Sequence, residues 1–405
     1  MMKQLTMLMV MVLLVLAITP TSHASRETFQ DIESHWARLK IEQGVQKGYV
    51  SGFPDGAFRP NEPVTRAQFI RMFADSLQLP SSQGGSPWYQ PYVATALEIG
   101  VLDQADFSDY TAQISRLEIM RLLSRGLATD SQYAAYLTAY SGLYNGDIPY
   151  IDYRDIPDAD VKHVAMVIGA GLVSGYPDFS LGLSKTATRA EAVVMIENFL
   201  ELRLKTPEGY RGLLELKEVA ETGTNATTVS MLVPSQNFKK EPISISTKRY
   251  DAKIKRAYVV PTIGESSIYE RKVLWDRSDI QMDVVNSTPY FVLTSYEVKT
   301  KVDMHLYPME FTSSVYSSAT IRGTDGNTYK KAVAAFGYTH IGVSIGTVKK
   351  AEKGKTYEVF DLSSYREWHV GWKSGMYLTN SQEGSVHVDH PKYTLFTSDY
   401  KHTGW

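Results

Sequence analysis

The stretch VTRAQFIRMF, Val64 to Phe73, decides how the first half of this chain is read. Thr65 and Gln68 stand three residues apart ahead of an apolar run, the pattern of a capping box. The threonine hydroxyl accepts the N3 amide, and the N3 side chain reaches back to the N-cap amide. Phe69, Met72 and Phe73 then recur at helical spacing, so an amphipathic helix opens at Thr65. Arg66 is out of place in it, because at the first helical position the macrodipole disfavours a cation by up to about 1 kcal/mol.

The same arrangement returns as ISRLEIMRLL from Ile114 and ATRAEAVVMI from Ala187. Ser115 with Glu118 and Thr188 with Glu191 repeat the capping box, and Arg116 and Arg189 repeat the arginine. A guanidinium beside exposed amide donors makes sense if an anion sits between them. The alternative is an ion pair with an acidic side chain of an adjoining unit, such as Asp31, Asp55 or Asp178. On the first reading, replacing an arginine by alanine costs affinity and leaves the fold nearly as stable.

Working outward, each arginine closes one of three internal repeats, residues 27–80, 86–130 and 150–204. VSGFPDG from Val50 matches VSGYPDF from Val173, Asp31 matches Asp155, and Trp36 and Trp88 each precede a glycine, Gly48 or Gly100, by the same interval. In the first unit a helix from about Ser34 to Gln46 carries Trp36, Ile41 and Val45 on one face. Gly48 ends it, a loop with Pro54, Asp55, Gly56 and Pro60 follows, and the second helix starts at Thr65. Neither helix buries its apolar stripe alone, so the three units share one core. Trp36 and Trp88 read as core residues between first and second helices, or as platforms for sugar rings. The second unit has no glycine between Leu102 and Gln113. The third has Ala159 in the place of Trp36 and Phe179 in the place of Gly56. Residues 127–150 are extra length without an assigned role.

Beyond the repeats, residues 205–224 read as a linker, KTPEG, and a short helix. Residues 225–405 alternate in period two and are rich in Val, Thr, Tyr and Ile, which reads as an all-β domain, a sandwich. Asp325-Gly326 marks a hairpin turn. This half offers no chemistry. His305, His340 and the run His387, Asp389, His390 read as polar turns more readily than as a metal site. Glu310 and Glu367 form a glycosidase pair only at a separation that sequence does not fix. There is no nucleophile elbow, phosphate loop or zincin helix. No catalytic residue, metal ligand or cofactor is assigned.

The 405 residues include no cysteine, and a net charge of −2 argues against a nucleic-acid partner. The opening MMKQLTMLMVMVLLVLAITPTSHA reads as a signal peptide, residues 1–24, cleaved near Ala24. Its apolar run, Leu5 to Ile18, falls short of the roughly 20 residues that span a bilayer, so no membrane span remains after cleavage. A secreted chain without cysteine suits a Gram-positive bacterium.

The three units resemble the S-layer homology (SLH) domain, on the residues FQDIESHWA, GYVSGFPDGAFRPNEPVTRAQ and GLVSGYPDFSLGLSKTATRAE. The resemblance implies a multidomain α plus β chain: an N-terminal all-α set of three units about a pseudo-threefold axis, then the all-β domain. It also implies attachment to the cell wall or S-layer through secondary cell-wall polysaccharide bearing a pyruvate ketal, in complex with peptidoglycan, with other surface proteins as further partners. The ligand residues it implies are Arg66, Arg189, Arg116, Asp55, Gly56, Asp178 and Trp36. Arg66 and Arg189 inherit the role directly. Arg116 inherits it less, because its own unit lacks the glycine loop. The β domain is then a displayed, non-enzymatic domain or, alternatively, the catalytic part of an anchored extracellular hydrolase.

Overall fold

The computed structural model describes residues 29–79, 85–230, 232–234, 244–261, 264–273, 290–306, 339–340, 349–365, 374–375, 379–380, 384–385 and 394–398. The expected signal peptide, the Asp325-Gly326 turn, Glu310, Glu367 and the histidines at 387 and 390 lie outside these residues, as do the side chains of His305 and His340. No helix among the described residues is long and apolar enough to cross a membrane.

The first half is helical. Its first unit holds Arg38–Lys47 (α1) and Arg66–Ser76 (α2), its second Gln90–Glu98 (α3) and Arg116–Leu127 (α4). Ser131–Ala139 (α5) follows, and the third unit holds Val161–Gly169 (α6) and Arg189–Leu202 (α7). The helix α1 starts later than the spacing predicts, because a 3-10 turn at Gln30–Ile32 and further turns occupy the chain up to Ala37. Gly48 ends it at φ 80°, as expected of a left-handed cap. All three capping boxes form.

Each second helix packs against the first helix of the next unit: α2 on α3, α4 on α6, and α7 back on α1. The residue before each cap closes this cycle on its axis. Val64 N–H donates to the Ala187 carbonyl at 3.0 Å, Ala187 to Ile114 at 3.0 Å, and Ile114 to Val64 at 2.9 Å. All three side chains are fully buried there. The amides at N1 and N2 also cross between units. Arg66 and Ala67 donate to Ala112 and Tyr110, Arg116 and Leu117 to Lys185 and Leu183, Arg189 and Ala190 to Glu62 and Pro60. With the N3 amide taken by the cap hydroxyl, these helix N-termini have no free donors for an anion. That part of the expectation is wrong.

The remaining elements are Arg211–Thr222 (α8), Ala226–Val229 (α9), Glu270–Val273 (α10) and a set of mainly antiparallel strands. Ser244–Ser246 (β2), Tyr250–Pro261 (β3), Tyr290–Thr300 (β4), Thr356–Tyr365 (β8) and Thr339–His340 (β6) form one sheet in the order β2-β3-β4-β8-β6. Only β6 runs parallel to its neighbour. Leu232–Pro234 (β1), Thr394–Ser398 (β12) and Ser374–Gly375 (β9) form a second sheet. Met304–Leu306 (β5) pairs with Lys349–Ala351 (β7), and Thr379–Asn380 (β10) with Gly384–Ser385 (β11).

The two halves share an extensive contact. Pro207, in the expected linker, is buried in a 3-10 turn, and α8 returns onto α6 so closely that a Cβ on Gly212 would meet the Gly169 carbonyl oxygen at 2.6 Å. A cut at 205 would expose Leu213 and Leu216, which are fully buried. Residues 127–150 now acquire a role. Asp147, fully buried, accepts from Arg256 Nε at 2.8 Å and from the Tyr258 hydroxyl at 2.7 Å on β3. Arg256 also donates to the Gly142 carbonyl at 2.8 Å, and Lys272 Nζ to that of Gly146. Burial holds the Lys272 ammonium down at about 8. The apolar core runs without a break from the helices into Tyr258, Val260, Tyr269, Phe291 and Leu293.

Arg256→Ala strands a buried carboxylate and is expected to cost about 3–5 kcal/mol. Calorimetry should show both halves melting together at a lower temperature. A lowered transition confined to one half would count against the shared core. A second expectation concerns His163, whose ring lies buried against Ser124 Oγ at 3.1 Å. Burial, with Arg125 and Lys162 nearby, lowers its pKa to about 4. As pH drops below the ordinary value of about 6.5 the unfolded chain binds the proton first, so stability decreases as the pH is lowered. Between pH 7 and 5 the loss from this group is about 2 kcal/mol, and His163→Gln should abolish it.

Candidate functional site

Because the units interlock in a cycle, a groove does not belong to one unit. Trp36 and Asn61 of the first unit, Arg116 of the second, and Ser174, Gly175, Tyr176, Pro177, Lys185 and Glu191 of the third line one groove of about 730 Å³. This is a volume suited to a small ligand. The arginine meets the loop of the following unit, where the sequence reading had paired it with its own. Arg116 donates from Nε to the Leu181 carbonyl at 2.8 Å and from Nη2 to Ser174 at 3.3 Å. Arg189 donates from Nε to Phe58 at 3.1 Å and from Nη2 to Ser51 at 3.0 Å. Phe58 and Leu181, and likewise Ser51 and Ser174, are equivalent positions. Arg66 donates to the Asp109 carbonyl at 2.9 Å in the loop of the second unit.

This reassignment reverses the ranking of the arginines. Arg116 and Arg189 serve the loops that carry Gly-Tyr-Pro-Asp and Gly-Phe-Pro-Asp. Arg66 serves the loop without glycine. Applied to the tryptophans, the same rotation puts Trp88 with Arg189 and the loop of the first unit. It puts Ala159, where a tryptophan is missing, with Arg66. Both losses therefore fall in one groove.

The tryptophans are not core residues. Trp36 is 67% exposed and Trp88 50% exposed, because each lies just ahead of its helix, while the N-cap Ala37 and, within the first helix, Ile41 and Gly44 are buried. Nor do the named aspartates pair with the three arginines. Asp31 caps the amides of Phe58 and Arg59, with the closest contact 2.6 Å. Asp152 does the same for Leu181 and Gly182 at 2.9 and 2.8 Å, so Asp152 and not Asp155 is the counterpart of Asp31. Asp55 accepts from Arg59 at 2.8 Å and from the Ala57 amide at 3.1 Å, contacts that lower its pKa. Asp178 is lowered likewise by the Ser180 hydroxyl and amide. Both aspartates make the turn. Gly56 and Phe179 hold the same left-handed conformation, φ 80° and 64°, so the third loop keeps the backbone of the first without its glycine. Arg59 and Gly182 are a second such pair, φ 59° and 64°.

The acidic partners of the arginines are the N3 residues of the neighbouring capping boxes. Arg66 Nη2 lies 2.6 Å from Glu118, and Arg116 Nη1 lies 3.1 Å from Glu191. Aromatic rings cover the guanidinium groups: Phe107 over Arg66, Tyr176 over Arg116, and Phe53 and Phe58 over Arg189. Sequence reasoning missed Glu118 and Glu191 in this part, and also Asn61, Tyr176 and Lys185. The motif adjoining each arginine contained them, but its spacing says nothing of the neighbouring unit.

The sequence model of the S-layer homology domain matches residues 28–70 and 149–193, which are the first and third units. The chain is similar to an amylopullulanase of Thermoanaerobacterium thermosulfurigenes, 28% identical over 184 residues, 43% of this chain and 10% of that protein. It is 24% identical to the S-layer protein sap of Bacillus anthracis over 250 residues, 58% of this chain and 28% of that one. A cellulosome-anchoring protein of Acetivibrio thermocellus is 29% identical over 157 residues, 34% of this chain and 33% of its own. The matched part is thus a third or less of each relative.

Arg116 is buried, with Nε, Nη1 and Nη2 all engaged inside the protein. Arg116→Ala is therefore expected to destabilise the fold by about 3–5 kcal/mol, by unpairing Glu191. Arg189→Ala leaves carbonyls but no carboxylate unpaired and should cost less, about 1–3 kcal/mol. Urea unfolding of the two variants measures the difference. Equal, negligible losses would return the arginines to a pure ligand role.

Proposed function

As a protein that carries S-layer homology domains, this chain, we propose, is a secreted surface protein held non-covalently on the bacterial cell wall by its helical half. The ligand is secondary cell-wall polysaccharide carrying a carboxylate such as a pyruvate ketal, bound in two of the three grooves. The observation that carries this reading is one groove in which an exposed tryptophan, an arginine and a glycine-bearing loop come from three different units. Trp36 offers its face to a sugar ring, while Arg116 fixes the loop and Lys185 supplies positive charge. In the second groove Trp88, Arg189 and the loop from Ser51 to Phe58 take the same parts. The groove of Arg66 lacks both tryptophan and glycine loop, and there the arginine holds units together.

The β-rich half is read as a displayed, non-enzymatic domain. The name cellulosome-anchoring protein among the relatives supports an attachment role, and S-layer protein supports a surface location. Amylopullulanase favours the alternative of an anchored hydrolase, but the likeness extends over less than half of this chain. In both readings the helical half does the anchoring.

The full chain is expected to sediment with purified walls and to be released when hydrofluoric acid strips their polysaccharide. Trp36→Ala and Trp88→Ala should each weaken binding, the double variant more than either. Arg66→Ala should spare binding while lowering stability. Unchanged binding to stripped walls would sink the proposal.

A further inference from the structure

The three N3 positions differ in one atom, and that difference falls beside one arginine. In the second and third units the N3 glutamate has two tasks. Glu118 accepts the Ser115 amide on Oε2 at 2.8 Å and gives Oε1 to Arg66. Glu191 accepts the Thr188 amide on Oε2 at 2.9 Å and gives Oε1 to Arg116. In the first unit the residue is Gln68. Its Oε1 accepts the Thr65 amide at 2.9 Å, so the capping box survives. The position that offers a carboxylate oxygen in the other units holds the side-chain NH2. The cycle assigns that position to Arg189, which forms no ion pair among the described residues, unlike Arg66 and Arg116.

The acids nearest Arg189 are engaged elsewhere. Asp31 accepts the loop amides of Phe58 and Arg59. Glu62 lies 3.4 Å from Arg59, which also binds Asp55. Gln68 itself is exposed. By the equivalence of the three units, the Gln68 NH2 takes the place beside Arg189 that a glutamate oxygen takes beside Arg66 and Arg116, so two donor groups share one edge. Two donor groups side by side match the two oxygens of a carboxylate.

We propose that Gln68 is the specificity-determining residue of the grooves: it leaves Arg189 without the direct ion pair that Arg66 and Arg116 have, so this groove selects the anionic sugar of the polymer. The Arg66 pocket, neutralised by Glu118, does not discriminate by charge at its arginine. In the Arg116 groove Glu191 neutralises the arginine, and positive charge comes only from Lys185. This rests on reading the grooves as polysaccharide sites, but the charge difference can be tested without the polymer.

Acetate, with acetamide as the neutral control, is titrated into the ¹⁵N-labelled full chain while the Nε–H signals of Arg66, Arg116 and Arg189 are followed. Arg189 should respond to acetate and not to acetamide, and the other two should not respond. Gln68→Glu keeps the cap and supplies the missing carboxylate. It should weaken the acetate response about 10- to 100-fold. An equal response at all three arginines, or an unchanged one in Gln68→Glu, overturns the proposal. Sedimentation with walls is the second arm. If Gln68→Glu binds walls as tightly as the parent chain, the role of Gln68 in selecting the polymer is overturned. If acetate behaves as expected and the parent chain does not bind walls, the anchoring function fails while the anion site stands.

Discussion

Three backbone hydrogen bonds, from Val64 to Ala187, Ala187 to Ile114 and Ile114 to Val64, close on themselves at the axis of the helical half. Each lies one residue before a capping hydroxyl, so it fixes where a second helix begins. The N1 and N2 amides of each of these second helices then reach carbonyls in the following unit. A helix end has several donors without intrahelical partners, and here the neighbour supplies the acceptors. Each unit therefore completes the next, and none is complete alone. The side chain that leaves the helix at N1 is carried over the neighbouring loop, where carbonyl oxygens of Ser51, Phe58, Asp109, Ser174 and Leu181 await donors. Arginine occupies the position because its planar fork can satisfy two or three such acceptors at once. The unfavourable dipole contact of up to about 1 kcal/mol is smaller than one charge-assisted hydrogen bond.

Much of this was legible in the sequence, and the boundary is physical. Capping boxes, the glycine that ends the first helix and the repeated loop are local, so spacing alone reveals them. The cyclic order is not local. Nothing in the interval between Trp36 and Arg66 tells that Trp36 lines a groove with Arg116. The exposure of Trp36 was missed because helical periodicity was carried past the true start of α1, into turns that follow other rules. Asp152 was missed because the third unit approaches its loop by a chain path offset from that of the first. The stretch 127–150 had no readable role because its partners, Arg256, Tyr258 and Lys272, lie more than a hundred residues away.

The cyclic order also changes how the irregularities of the repeats are understood. Taken unit by unit, the second lacks a loop and the third lacks a tryptophan, so two units look impaired. Taken groove by groove, both losses meet at Arg66. There Glu118 lies closer to its arginine than Glu191 does, 2.6 against 3.1 Å. With its ion pair closed, Arg66 holds the first and second units together as a staple. The groove of Arg189 differs in the other direction, with Gln68 at the position of Glu118 and Glu191 and with the glycine loop present.

The β half is not remote from the grooves. Arg271 on α10 stands over the rings of Tyr150 and Phe179, at 5.1 and 5.4 Å. Phe179 is the left-handed residue of the third loop, and Tyr150 fills the space that a Cβ on Gly175 would need, 2.3 Å from its Cε1. Gly175 in turn lines the groove of Trp36 and Arg116. The loop is thus held on one side by Arg116 and on the other by Tyr150, which the β half covers. Gly175 is needed for this close approach, since its φ is not among the positive ones. The glycine of the matching Gly52 makes the same kind of approach to Phe29, 2.1 Å from Cε1. An aromatic ring behind the loop is therefore part of the architecture in the first and third units. In the third unit that ring is also the point where the β half, through Arg271, bears on the groove of Trp36 and Arg116.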